Sequence, residues 1–343
     1  MIFIRKKNHK GDGGEIMLDL SLDEFFRKYH ISEESKDIVN WNELNKIHTH
    51  FLSIRESLIA QADFIANTLR ANKTIHTVRS RVKDPEHLIA KIIRKMPQRK
   101  EQKGKDFCFT VDNYQDEITD LIGVRAIHIF KEDWEEIHNY INRIWNTTEI
   151  IANVRAGDDT SRFEELGIPV DPRETGYRSV HYLIESSPTR KKIVAEIQVR
   201  TIFEEGYGEI DHILRYPHGD VPQVLTLNLL LLNRIVGSSD EMASYINLLK
   251  EDLRQIESDH QTAINKKNDE IESLKNKINK MEMKEQDRNS LLSSVNTIKE
   301  NNTIYKTYQN QIITSQKLIN SNTFLKRAFL DSDFKQGQKG DDD

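Results

Sequence analysis

Two stretches that read as β-strands carry polar side chains where a buried strand would carry apolar ones. Side chains alternate between the two faces of a strand. The polar positions are Glu196, Gln198 and Arg200 in "KIVAEIQVR" and Tyr177, Ser179 and His181 in "GYRSVHYLI". These residue types can coordinate a metal, stack on a flat ring and bind phosphate. An antiparallel sheet with one face in water is the alternative, since it also explains the polarity.

A second group of charged residues lies upstream, in "HTVRSRVKDPEHLIAKIIRKM". Arg79, Arg81 and Lys83 alternate in an extended segment, so their side chains can point the same way. Asp84 has the features of a helix N-cap, and Lys91 lies off the apolar stripe of the helix that follows. Cations at such a junction suit a polyphosphate, because arginine binds phosphate oxygens bidentately. A solvated basic helix is the alternative.

A third candidate is Asp120, which stands just before the predicted strand "GVRAIHIF". Gly123 at the start of that strand allows close backbone approach. Mg²⁺ takes one or two carboxylates and leaves its other positions to phosphate and water. Asp120 is therefore a candidate Mg²⁺ ligand, and a cap or turn residue is the alternative.

The elements that must position these residues form an α+β pattern. Residues 17–72 show apolar residues at three- and four-residue spacing, as in amphipathic helices. Residues 76–220 mix short β-rich runs with helices, and a Ser-Ser-Pro segment joins the two polar strands into a predicted antiparallel hairpin. We therefore expect a mixed β-sheet flanked by helices.

After Pro222 the chain becomes helical and rich in Lys and Glu. Apolar residues from Ile246 to Met281 follow a heptad-like pattern, which His260 and Lys267 interrupt. The segment is either a long helix packed on its own domain or a coiled coil that pairs with a second copy or a regulatory partner through residues 240–285. The predicted division is a disordered tail at 1–16, a domain at 17–220, a helical and partly coiled-coil extension at 221–330 and a disordered tail at 331–343.

Composition excludes several classes of protein. The net charge of −5 over 343 residues argues against general attraction to nucleic acid or membranes. The single cysteine, Cys108, can form neither an internal disulfide nor a cysteine zinc site, which fits a reducing compartment. No stretch approaches the roughly 20 apolar residues of a membrane span. We expect a soluble cytoplasmic protein.

Five motifs, taken in order, resemble the synthetase domain of the RelA/SpoT family, which makes the alarmones pppGpp and ppGpp. They are "SRVKDPEHLIAKI", "DLIGVRAIHIF", "GYRSVHYLI", "EIQVRT" and "EIDHILRY", and the resemblance covers roughly residues 75–217. Each motif is short, but the five in this order are specific. The resemblance implies a nucleotidyltransferase-like fold and a Mg²⁺-dependent transfer of pyrophosphate from ATP to the ribose 3′ hydroxyl of GTP or GDP, leaving AMP.

The resemblance also implies roles for individual residues. Asp120 and Glu196 would hold Mg²⁺, and Glu196 is our candidate for the general base. The residues expected to bind ATP are Arg79, Arg81, Lys83, Lys91 and Arg125. The residues expected to bind GTP or GDP are Tyr177, which would stack on guanine, and Ser179, His181, Gln198, Arg200 and His212.

Two departures and two alternatives accompany this resemblance. Many members have Trp where Tyr207 stands, which is a mild aromatic replacement. The chain has no His-Asp dipeptide, so we expect a synthetase without its own hydrolase.

Some toxin-like relatives transfer pyrophosphate to the 3′ end of tRNA, for which the basic segments 96–105 and 188–192 are candidate contacts. A scaffold with an inactive pocket is the third hypothesis, which intact Asp120, Glu196 and Tyr177 disfavour.

Overall fold

The computed structural model of the protein describes Leu18 and residues 20–188, 192–215 and 221–297. The chain divides into two compact units, Met1–Ser244 and Tyr245–Asp343. The domain boundaries that the sequence suggests stay predictions, and both expected tails lie outside the described residues. None of the described helices has the length and apolar character that crossing a membrane requires.

The first unit begins with helices and continues as a mixed α and β segment. The elements in chain order are α1 (Leu22–Lys28), a 3-10 helix (Glu33–Ile38), α2 (Trp41–Arg70), β1 (Thr77–Val82), α3 (Pro85–Lys103), α4 (Tyr114–Glu117), β2 (Ile122–His128), α5 (Asp133–Ile144), β3 (Asn146–Arg155), α6 (Ser161–Glu165), β4 (Val170–Arg173), β5 (Ser179–Ser186), β6 (Ile193–Thr201), α7 (Ile202–Arg215) and α8 (Gln223–Lys280).

The six described strands form one mixed sheet in the order β1-β2-β6-β5-β3-β4. The pairs β2–β6 and β3–β4 are parallel, whereas the other three pairs are antiparallel. The hairpin of β5 and β6 is confirmed, with His181 opposite Gln198 and Leu183 opposite Glu196. This sheet, its flanking helices and the long helix α8 confirm the predicted fold class.

The two faces of the sheet differ in chemistry because side chains alternate along each strand. One face carries buried apolar side chains, such as Val124, Tyr182 and Ile197. Helix α2 packs on β1 and β2, and α5 packs on β3 and β6. The register pairs Gly123 with Glu196 on the other face, where the polar residues of the strands collect.

Helices α3 and α7 begin close to the candidate site residues. The Asp84 carboxylate accepts hydrogen bonds from the backbone N–H groups of Glu86 and His87, as its predicted N-cap role requires. Helix α7 follows β6 directly and contacts β6 and β2. These connections place the start of each helix next to the polar face of the sheet.

Within the first unit, α8 presents a narrow buried stripe of Leu229, Asn233, Gly237 and Asp240. The Asn233 side-chain amide donates a hydrogen bond of 2.7 Å to the backbone carbonyl of Gly176, which precedes Tyr177 in the turn before β5. The beginning of α8 therefore supports the turn that positions one of the candidate residues.

Candidate active site

Five polar side chains at the β5–β6 hairpin form a closed hydrogen-bonded ring. Tyr177 Oη lies 3.0 Å from His181 Nε2, and His181 Nδ1 lies 3.1 Å from Glu196 Oε1. Gln198 Nε2 donates to Glu196 Oε2 at 2.8 Å. Arg200 Nη2 closes the ring, since it donates to Tyr177 Oη at 2.8 Å and to Gln198 Oε1. The alternation of these residues in the sequence predicted that they share a face, and the structure brings all five into contact.

The direction of hydrogen bonding in this ring follows from its two ends. Arg200 can only donate and an ionised Glu196 can only accept. His181 connects the two sides of the ring, because its Nδ1 atom lies 3.1 Å from Glu196 Oε1 and its Nε2 atom 3.0 Å from the Tyr177 hydroxyl. Two chains of hydrogen bonds therefore connect Arg200 to the Glu196 carboxylate, and they hold its orientation.

Glu196 is ionised at neutral pH. Burial acts to raise the pKa of Glu196, but the hydrogen bond and charge of His181, together with the hydrogen bond from Gln198, outweigh burial and hold that pKa below its usual value. The nearby charge of Asp120 acts in the opposite direction and raises the pKa of Glu196. The two predicted metal ligands thus lie close enough to repel each other.

Asp120 is held between two lysines. Its Oδ2 atom lies 2.7 Å from Lys83 Nζ and 2.7 Å from Lys91 Nζ. Burial raises the pKa of Asp120, but the two ammonium groups more than offset this and lower the pKa to about 2. Burial also lowers the pKa of Lys83. The other oxygen, Oδ1, is buried and has no hydrogen-bond partner among the described residues.

These residues fit a Mg²⁺ ion that substrate phosphates would complete. No group of three or more His, Cys, Asp or Glu side chains with metal-binding geometry occurs in the described part of the chain. Mg²⁺ needs only one or two carboxylates when phosphate oxygens and water fill its other positions. The unpaired Oδ1 of Asp120 and the neighbouring Glu196 carboxylate meet that requirement.

The arginines of the polar face line a cleft of about 170 Å³. Its walls are Arg79, Ser80, Arg81, Gly123, Val124, Arg125, Gln198, Glu209 and His212. A Cβ atom at Gly123 would lie 3.4 Å from Arg81 Nε, so a larger residue would crowd that guanidinium. The cleft therefore contains five of the residues that we expected to bind nucleotide, and Gln198 belongs both to the cleft and to the hydrogen-bonded ring.

Two carboxylates of α7 hold these arginines, and the sequence did not single them out. Glu205 Oε1 lies 2.9 Å from Arg125 Nη1 and 3.3 Å from Arg79 Nη1. Glu205 Oε2 lies 3.2 Å from Arg200 Nη1. Arg125 Nη1 also donates to Glu209 Oε1. The two glutamates are four residues apart, which puts them on one face of a helix, and this spacing could have indicated from the sequence that they act together.

Tyr177 and Ser179 differ in how accessible they are. Tyr177 is half-buried, and the guanidinium of Arg200 lies 5.2 Å from its ring centroid. Arg200 itself is 3% exposed, so it acts on Tyr177 from within the protein. Ser179 is buried and its hydroxyl donates to the Val199 carbonyl at 3.2 Å. The nucleotide contacts expected of both residues stay predictions.

Comparison with known families gives one match. Residues 80–221 match a family model described as the region found in RelA/SpoT proteins. The matched range contains the hydrogen-bonded ring, Asp120 and most of the arginine cleft. The predicted resemblance to this family is confirmed, and a search of curated proteins gave no match.

Several solved structures are similar to part of the chain. A GTP pyrophosphokinase family protein from Streptococcus pneumoniae is 21% identical, with a TM-score of 0.43 over 60% of this chain and 95% of that one. The small alarmone synthetase 1 from Bacillus subtilis is 19% identical, with a TM-score of 0.42 over 59% and 94% of the two chains. The small alarmone synthetase 2 from the same organism is 24% identical, with a TM-score of 0.41 over 60% and 97%.

Proposed function

We propose that residues 80–221, which match the RelA/SpoT region, transfer pyrophosphate from ATP to the ribose 3′ hydroxyl of GTP or GDP. One observation carries the proposal: Gln198 joins the hydrogen-bonded ring around Glu196 to the cleft that Arg79, Arg81 and Arg125 line. A carboxylate base and a binding site for phosphates are therefore continuous on one face of the sheet. The match to the RelA/SpoT family supports the reaction type.

The donor triphosphate fits the cationic part of this face. Arg79, Arg81 and Arg125 offer guanidinium groups, which bind phosphate oxygens bidentately. Asp120 and Glu196 would hold Mg²⁺, which supplies charge neutralisation at the donor phosphates. Reactions of this kind depend mainly on positioning and charge stabilisation, which an array of fixed cations provides.

The chemical step needs one base. The ribose O3′ attacks the β-phosphorus of ATP, a bond forms between O3′ and that phosphorus, and the bond from phosphorus to the α,β-bridging oxygen breaks. AMP leaves with that electron pair, and the O3′ proton moves to the Glu196 carboxylate. Because the pKa of Glu196 is low, it accepts the proton late, when bonding to phosphorus has made the hydroxyl acidic.

The acceptor nucleotide fits beside the ring. Tyr177 offers an aromatic surface for guanine, and stacking of this kind contributes about 1–3 kcal/mol per base. Its hydroxyl is fixed by Arg200 and His181, so the plane of its ring is set before the nucleotide binds. His181 adjoins Glu196 and would face the acceptor phosphates, while His212 lies in the cleft.

A labelling assay tests the proposed acceptor. The full chain is incubated with Mg²⁺ and ATP labelled in the γ-phosphate, and GDP, GTP, ATP or deacylated tRNA is added separately. We expect label to enter GDP or GTP. Label that enters tRNA alone would favour tRNA over GDP and GTP as the acceptor. Of the two basic segments expected to contact tRNA, segment 96–105 lies at the end of α3, and segment 188–192 lies partly outside the described residues. The absence of label in all four acceptors would contradict the proposal.

A further inference from the structure

Two glutamates of α7 share one arginine in the cleft but differ in their surroundings. Arg125 Nη1 lies 2.9 Å from Glu205 Oε1 and also donates to Glu209 Oε1. Glu205 is a buried residue, 8% exposed, and it also contacts Arg79 and Arg200. The side chain of Glu209 is 38% exposed and lies in the wall of the cleft. Glu205 is thus enclosed by three arginines, whereas Glu209, among the described residues, pairs with Arg125 alone and borders solvent.

Both members of the Arg125–Glu209 pair are charged. Burial acts to raise the pKa of Glu209, but the hydrogen bond and charge of Arg125 hold that pKa below its usual value. Burial acts to lower the pKa of Arg125, but Glu205 and Glu209 raise it above its usual value. A full negative charge therefore stands in the wall of a cleft whose other charged walls are arginines.

We propose that Glu209 competes with the phosphates of the donor for Arg125 and thereby sets the affinity of the cleft for polyphosphates. The identity of the donor as ATP rests on the proposed function, but the competition itself concerns any polyphosphate. When a polyphosphate binds, Glu209 gives up Arg125 and turns to solvent. When the ligand has lost its outer phosphates, Glu209 pairs with Arg125 again, which favours release of the less charged product.

The size of the effect follows from electrostatics. Two unit charges about 4 Å apart interact by about 1 kcal/mol in water and by about 4 kcal/mol near a protein surface. Because the Glu209 side chain is partly exposed, its interaction with Arg125 lies near the lower end of this range. Replacing the carboxylate by the amide of the same shape removes the competing charge and its repulsion of the phosphates. We expect about a fivefold tighter binding of a polyphosphate.

Isothermal titration calorimetry of the full chain with inorganic tripolyphosphate tests the inference. The wild type is compared with Glu209→Gln and with Glu56→Gln, an exposed position of α2 that removes the same charge from the same unit. We expect the Kd to fall about fivefold in Glu209→Gln and to change less than twofold in Glu56→Gln. Equal or weaker binding by Glu209→Gln, or no binding by either protein, would overturn the inference.

Kinetics separate this inference from the proposed function. In Glu209→Gln we expect the KM for ATP to fall by a factor similar to that of the tripolyphosphate Kd, with a smaller effect on kcat. Thermal unfolding of the variant checks that it is folded. If the wild type transfers pyrophosphate to no acceptor but Glu209→Gln still binds tripolyphosphate more tightly, the proposed function fails and the role of Glu209 stands. If transfer occurs but Glu209→Gln changes neither the Kd for tripolyphosphate nor the KM for ATP, the role of Glu209 fails and the proposed function stands.

Discussion

Arg200 shows how a single buried side chain organises the candidate site. Its guanidinium is 3% exposed and donates to Tyr177 and Gln198. It also lies 3.2 Å from Glu205 across the polar face. Because both hydrogen-bond chains that end on Glu196 begin at Arg200, this residue links the position of the carboxylate to those of Tyr177 and Gln198.

Glu196 gives the most direct residue-scale prediction. Glu196→Gln keeps the shape of the side chain but removes the base, so we expect a loss of about 10²–10⁴-fold in transfer rate. The matched control is Glu185→Gln, a glutamate of the same hairpin that pairs with Lys192 outside the ring. Rates are measured by labelled transfer, and circular dichroism checks the fold. Near-full activity in Glu196→Gln would refute its role as base.

Asp240 gives a pH-dependent stability prediction. Asp240 is fully buried, and the side-chain hydrogen bond from Thr201 acts to lower its pKa without offsetting the burial. Burial and repulsion by Glu204 raise the pKa of Asp240 from 3.8 to about 7. The folded protein then holds this proton more tightly than the unfolded chain, so stability falls as pH rises from about 4 to about 7 and levels off above that.

Asp240→Asn removes this dependence. We expect the variant to raise the Tm by about 5 °C at pH 8 and to change it little at pH 4, where Asp240 is already neutral. Differential scanning calorimetry across this range measures the effect, and Asp116→Asn at an exposed position of α4 is the control. A Tm difference that is equal at pH 4 and pH 8 would contradict the assignment.

At the residue scale, the sequence predicted the shared polar face of the ring residues but missed the α7 carboxylates, and both outcomes have a physical reason. Alternation along β5 and β6 is local information, and it placed all five ring members on one face. Glu205 meets Arg79 and Arg125 across 126 and 80 residues of chain. Such contacts depend on how α7 lies over the sheet, which no local pattern specifies.

At the element scale, the turn before β5 is the structural feature that most directly positions Tyr177. Gly176 has φ of +73°, a region that favours glycine. A Cβ atom at Gly176 would lie 2.8 Å from the Asn233 side chain of α8. Position 176 therefore requires glycine for two reasons: its positive φ and the close approach of Asn233 of α8.

A pair of glycine variants separates these two requirements. Gly167→Ala introduces a side chain at φ of +67° with no atom within 4 Å, so it tests the backbone alone. Gly176→Ala adds the clash with Asn233, and we expect it to cost about 1–3 kcal/mol more than Gly167→Ala and to weaken binding of GDP. Chemical denaturation and a nucleotide titration measure the two effects. Equal costs for the two variants would contradict a tight contact between the turn and α8.

Elements with strong local signals were predicted, and pairings between distant strands were not. The Asp84 cap and the β5–β6 hairpin follow from residue types and spacing. The parallel pairing of β2 with β6 joins Gly123 to Glu196 across the chain. That register is set by packing of the whole sheet, and it is what brings Asp120 near Glu196.

At the scale of the whole molecule, α8 continues into the second unit with an exposed apolar seam. Ile246 is 57% exposed, Leu253 45% and Ile256 37%. The heptad spacing of this seam is typical of helices that pair with another helix. Association with a second copy or a partner through this segment is therefore our proposal for the extension.

Sedimentation equilibrium tests self-association. The chain has a mass of 40.1 kDa, and we expect a species of about twice that mass at micromolar concentration, because pairing would bury the seam. A variant with Ile246, Leu253 and Ile256 changed to lysine should sediment at the mass of one chain. A wild type that already sediments as one chain across this concentration range would contradict self-association.

The identity of the nucleotide co-product tests the central claim most directly. The claim is that this face of the sheet moves the β and γ phosphates of ATP together to a ribose hydroxyl. The full chain with Mg²⁺, ATP and GTP or GDP should release one AMP for each acceptor that gains a 3′ diphosphate, as chromatography and mass spectrometry would show. Release of ADP with a singly phosphorylated acceptor, or of AMP and free pyrophosphate without a modified acceptor, would contradict the account.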